Sequence, residues 1–227
     1  MMPQRAGLLF WLLVLTYLGA ILFNFPWLVY FAKPLLMPLL ALQLLLRGSI
    51  AKTEKLIVAG LIFSWMGDVF LLFESQNAVF FIAGLLSFLT THVCYIIYFL
   101  SVKSLPPSLL KKQPGYILLV LCYGAALTGL LFPYLGGLKI PVIVYAGVIC
   151  CMLLCSLHVY PKLPAPANRY FLTGAFLFVL SDSILAINKF YHSFSFSGVW
   201  VMLSYCAAQY LIVTGALESN ARSTGGR

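Results

Sequence analysis

Eight long apolar runs, each close to the length of a membrane-crossing helix, leave this chain few folds to adopt. They fall at about 7–23, 27–46, 56–73, 78–100, 116–132, 140–157, 170–187 and 199–217. A helix rising ~1.5 Å per residue needs about 20 such residues to cross the hydrocarbon core. Lipid offers no partner to backbone N–H and C=O groups, so each run must bond within itself as a helix. With 63% hydrophobic and 8% charged residues, too little polar surface remains for a soluble domain. The expectation is an all-α polytopic membrane protein of eight transmembrane helices. It would form one domain over 1–217, followed by a polar, disordered tail at 218–227. The segments NFPW and ESQN are too short for anything but antiparallel neighbours, and LPPSLLKKQPG and HVYPKLPAPAN read as proline-rich loops. The first run resembles a signal peptide, but it continues through Phe23 and seven more follow, so it reads as an uncleaved first helix.

A formal net charge of +9 would suggest nucleic acid in a soluble protein. Here the cations lie between apolar runs, and no phosphate-binding glycine loop or basic-aromatic RNA motif accompanies them, so no nucleic-acid partner is expected. Eleven of them (Arg5, Arg47, Lys52, Lys55, Lys103, Lys111, Lys112, Lys162, Arg169, Arg222 and Arg227) fall on one side of an eight-helix topology. Lys139 and Lys189 fall on the other, and Lys33 lies inside the second helix. By the positive-inside rule both termini face the cytoplasm. The six cysteines all lie in apolar runs without a CxxC pair, which reads as packing and supports neither a thiolate metal site nor a redox motif.

Only two aspartates occur, Asp68 in FSWMGDVFLL and Asp182 in LFVLSDSILA, and both interrupt apolar helices. An ionisable residue in a bilayer costs a few kcal/mol or more and reads by default as functional. Each is five residues short of the outer end of its helix, about 8 Å below the non-cytoplasmic surface. Lys33 enters its helix from the same side and reaches ~9 Å deep. Tyr205 comes to a similar level, and Lys189 lies at the rim, two turns from Asp182 on the same face of a straight helix. His92 is deeper, ~21 Å from the outer end, with Gln209 between. These residues outline a pocket that opens away from the cytoplasm. A shift of 114 residues aligns Gly60 with Gly174, Asp68 with Asp182, Leu71 with Leu185 and Gly84 with Gly198. That pattern suits a 4+4 parallel repeat, although so few identities also allow coincidence.

Each polar residue also has a plainer reading. The aspartates could be structural ion pairs with Lys33 or Lys189. Lys33, ahead of Pro34 and Pro38, could reshape its helix or hold a phosphate. His92 could bond a backbone carbonyl, and Ser181 and Ser183 could orient Asp182 or bond back to their own helix. His92, His158 and His192 lie at levels too different for one zinc site, so no metal and no other cofactor is expected. Two carboxylates in unlike surroundings can instead divide into a general acid and a general base, as in glycosidases, and cleave through an oxocarbenium-like state.

Several segments together resemble the YhhN family of membrane proteins. They are YFAKPLLMPLL, FSWMGDVFLL, GLLSFLTTHVCYIIYF, NRYFLTGAFLFVLSDSILAINKF and SYCAAQYLIVTGA, from about residue 5 to 217. Animal members of that family are lysoplasmalogenases, which hydrolyse the vinyl ether of lysoplasmalogens to a fatty aldehyde and glycerophospho-ethanolamine or -choline. The resemblance implies Asp68 and Asp182 as catalytic residues. It implies Lys33, His92, Ser181, Lys189, Tyr205 and Gln209 as substrate contacts, with a lysophospholipid and the bilayer as partners. The alternative is a proton-coupled transporter of small molecules or lipids that uses the same carboxylates. A metal hydrolase built on Asp68, His92 and Asp182 is a third reading, with His92 ~10 Å too deep. The short loops and the lack of a retention signal suit a bacterial inner membrane, with the endoplasmic reticulum as the alternative.

Overall fold

The structure, a computed structural model, describes residues 2–47, 50–102 and 107–224, and side chains from 6 to 219 within them. Lys103 and Arg227, and the side chains of Arg5 and Arg222, lie outside the described residues. Among the described residues the chain is helical throughout, with no strand. The helices are α1 (Met2–Leu22), α2 (Pro26–Leu45), α3 (Glu54–Leu72), α4 (Ala78–Ser101), α5 (Leu109–Lys112), α6 (Gly115–Leu131), α7 (Lys139–Val159), α8 (Ala167–Ala186) and α9 (Ser197–Thr224). Seven of these segments, all but α1 and α5, are long and apolar enough to cross a membrane, which makes the chain an integral membrane protein. Of α1 the side chains are described from Ala6 on, and the apolar stretch among them is Ala6–Leu22. The short helix α5 stands where the sequence reads as a loop, because Ser108 caps it by accepting from the Leu110 N–H at 3.1 Å. The last helix continues beyond the expected end at Leu217, as far as Thr224.

The chain divides into two compact units, Met1–Tyr98 and Phe99–Arg227. In the first, α1 packs on α2 and α2 on α3. Between lipid-embedded helices the hydrophobic effect offers little, so association relies on close backbone approach and interhelical hydrogen bonds. The face of α3 carrying Gly60, Ser64 and Gly67 meets α4 in that way. A Cβ at Gly60 would strike the Tyr95 ring, and one at Gly67 would lie 2.7 Å from Phe88. The Ser64 and Thr91 hydroxyls are 3.0 Å apart, and Thr91 also donates to the Gly60 carbonyl at 3.0 Å.

Helix α2 runs unbroken through Pro34 and Pro38. The helical donor for the Pro34 carbonyl would be the N–H of residue 38, which proline lacks. The indole N–H of Trp65 on α3 takes that place, donating to Pro34 O at 2.9 Å. At the other end of the α1–α2 pair the turn passes through Asn24 with φ 59°. This left-handed conformation is one that asparagine tolerates better than most side chains.

In the second unit α6 packs on α7, α7 on α8, and α8 on α9 along much of their length. A Cβ at Gly174 would come within 3.0 Å of the Ala208 carbonyl, and one at Gly215 within 3.1 Å of Phe171. After α8 the chain widens into a π-helical turn, Ile187–Tyr191. Such turns change the angular step per residue, and Lys189 lies within this one.

Candidate active site

In the first unit the preference for helix brings Lys33 on α2 opposite Asp68 on α3. The ammonium stands 3.7 Å from the carboxylate, with the side chains 9% and 2% exposed. Pairing is what a low-dielectric interior demands of two such charges. Asp68 directly follows Gly67, whose missing side chain lets α4 approach, so the carboxylate is held at a tight helix crossing. His92 is fully buried on α4, next to the Thr91 that ties α4 to α3. Lys33 also lines a pocket of about 350 Å³ together with Tyr17, Asn24, Tyr30 and Leu71.

In the second unit Asp182 on α8 is half-buried and accepts a hydrogen bond from the Tyr145 hydroxyl of α7 at 2.5 Å. Ser183 accepts from the Tyr123 hydroxyl of α6 at 2.7 Å and donates to Val179 O at 2.6 Å. Ser181 donates across to α9, to Val201 O at 2.9 Å. The two serines beside Asp182 thus do different things: Ser181 fastens α8 to α9, and Ser183 bonds to its own helix while receiving Tyr123. Tyr205 is 3% exposed and packs edge-on against Phe178, with ring centroids 5.5 Å apart. Gln209 is fully buried a turn further along α9. Lys189 lies exposed on the π-helical turn.

Of the residues singled out in the sequence, the first unit brings Lys33 and Asp68 into contact. The second arranges Ser181, Asp182 and Tyr205 along the α8–α9 hairpin. Tyr123 and Tyr145 were not singled out. Their only signal was a phenol in the middle of an otherwise apolar run, GYILLVLCYGAAL and KIPVIVYAGVIC. Both units follow one plan: the carboxylate sits on a helix whose predecessor supplies its partner. That partner is an ammonium for Asp68 and a phenol for Asp182. Among the described residues no group of three or more His, Cys, Asp or Glu could hold a metal ion.

The sequence model of the YhhN family matches residues 28–216. Among curated proteins, the chain is 34% identical over 172 residues to bovine "Lysoplasmalogenase TMEM86A", covering 72% of this chain and 65% of that protein. The human protein of that name is 31% identical over 175 residues, with the same coverage. A Mycobacterium tuberculosis "Lysoplasmalogenase" is 31% identical over 173 residues, covering 73% of this chain and 62% of the relative. The matched stretch thus spans a little under two thirds of these relatives. No solved structure matches the chain.

Proposed function

The chain belongs to the YhhN family, and from that premise we propose that it is a membrane lysoplasmalogenase working by Asp/Asp acid–base catalysis. The substrate is a lysophospholipid with a vinyl-ether chain, and the products are a fatty aldehyde and a glycerophospho-ethanolamine or -choline. One aspartate protonates the β-carbon of the vinyl ether, and the double-bond electrons form the new C–H bond. The other takes a proton from the water that adds to the resulting oxocarbenium carbon. In the collapse of the hemiacetal that second carboxyl returns its proton to the glycerol oxygen as the C–O bond breaks, while the first carboxylate takes the hydroxyl proton as the aldehyde carbonyl forms, which restores both groups. The buried Lys33–Asp68 pair carries this reading, because ionisable groups are costly enough inside apolar helices to mark a functional site. Asp182, which accepts from the Tyr145 phenol, is the second carboxylate of the pair. Lys33, His92, Ser181, Lys189, Tyr205 and Gln209 belong to the substrate-contact set that the family resemblance implies.

We place the chain in a bacterial inner membrane as one transmembrane domain, with α1 as its eighth span and both termini cytoplasmic. The matching plan of the two units supports a 4+4 repeat.

The test is aldehyde release from lysoplasmenyl-ethanolamine by purified protein, followed with a coupled aldehyde dehydrogenase. Asp68→Asn and Asp182→Asn are each expected to lower kcat by at least about 100-fold. Near-normal turnover by both folded variants would remove the acid–base assignment. Flux of intact lipid through sealed liposomes, without aldehyde, would support a transporter instead.

A further inference from the structure

We infer that the pocket at the α1–α2 turn is the head-group subsite, selecting lipids by their phosphodiester. This inference rests on the lysophospholipid reading above and extends it to residues that neither the sequence nor the relatives single out. The pocket lies wholly within the first unit and holds about 350 Å³, within the range that accommodates small ligands. Its polar lining includes the Lys33 ammonium, the Asn24 amide and the Tyr17 and Tyr30 phenols. All four residues carry donors, the Tyr30 hydroxyl already donating to Leu72 O at 3.4 Å, and the lining contains no carboxylate. Such a set suits an anion with several acceptor oxygens, and a phosphodiester is that anion in this substrate. Leu71 and Leu72 form an apolar wall at the C-terminal end of α3, about one turn from Asp68 in sequence.

Lys33 is what joins the pocket to the chemistry. It lines the pocket and also stands 3.7 Å from Asp68. An ammonium has three donors, so one cation serves the carboxylate and a phosphate oxygen together. The head group is thereby tied to one of the two aspartates proposed as catalytic. Asn24 is the selectivity element that sequence reading passed over. Its φ of 59° places a short polar side chain where most residues would be strained, and the turn thus presents an amide at the pocket.

Position 24 also provides clean variants. Asn24→Gly removes the amide and suits the left-handed backbone, so the turn survives. Asn24→Asp is nearly isosteric and places a negative charge beside the phosphate. The experiment measures binding to purified full-length protein of three probes: acyl lysophosphatidylethanolamine, the monoacylglycerol of the same chain, and free glycerophosphoethanolamine. Acyl lipids carry no vinyl ether, so binding is read whether or not hydrolysis occurs. The wild type is expected to prefer the lysophospholipid to the monoacylglycerol by about tenfold or more. Asn24→Asp should reduce that preference to within about twofold, and Asn24→Gly should give an intermediate value. Competition by free glycerophosphoethanolamine would show that the head group binds without a chain, and failure to compete would show that the subsite acts only on membrane lipid. Equal binding of the two lipids by the wild type, or a preference unchanged in Asn24→Asp, would overturn the subsite. Aldehyde release is scored separately: its absence would remove the proposed activity and leave the binding preference to be judged on its own.

Discussion

In the bonds described, Asp68 meets an ammonium and Asp182 a phenol. A phenol donating to a carboxylate orients it without supplying a charge. We therefore propose Tyr145 as a positioning residue for Asp182. Tyr145→Phe should lower kcat about fivefold with little change in KM, while the protein remains folded, since one hydrogen bond is worth about 1 kcal/mol. A matched rise in KM with unchanged kcat would contradict the positioning role. The sequence revealed Lys33, Asp68 and Asp182 because charges in apolar runs are costly enough to stand out. It did not reveal Tyr145 or Tyr123, because an aromatic ring is ordinary in such a run and only the partner of its hydroxyl gives it a role. Whether Lys33 pairs with Asp68 or Asp182 was likewise open in the sequence, since helix register within a unit decides it.

At the scale of elements, α2 and α3 are held in register next to the ion pair by the indole of Trp65. Its ring is 39% exposed, yet its N–H serves a carbonyl that the helix leaves unpaired. Trp65→Phe keeps most of the packing and orphans that carbonyl in lipid. The expected result is a loss of about 1–3 kcal/mol in stability, seen as a lower unfolding temperature in detergent. Turnover should fall as well, because Lys33 neighbours the affected turn. An unchanged unfolding temperature would mean that the Pro34 carbonyl finds another donor. The small-residue faces Gly60–Ser64–Gly67 and Gly174 were legible as glycines, but their partners Tyr95, Phe88 and Ala208 were not. The π-helical turn was not legible either. A periodicity argument assumes one angular step per residue, and Ile187–Tyr191 departs from it.

For the whole molecule, the helical class and most element positions followed from the apolar runs. The boundaries of α2, α3, α4, α6 and α7 fall within about two residues of expectation, because lipid thickness sets run length. The described apolar part of the first helix, Ala6–Leu22, is 17 residues. The eight-span topology predicts that both termini report cytoplasmic when fused to a fluorescent protein or alkaline phosphatase. A fusion after Lys139, which carries a cation over the Phe132 ring at 4.6 Å, should report the opposite side. Opposite locations for the two termini would instead mean that seven segments cross and α1 does not.

The Trp65–Pro34 bond gives this sequence a history-dependent constraint. The indole is needed only while residue 38 is a proline, since any other residue there restores the missing backbone donor. Losing Pro38 first releases position 65 to drift; losing Trp65 first leaves a damaged protein. The two positions lie 27 apart in the chain and do not bond to each other, yet the order in which they change decides whether a lineage passes through a functional intermediate.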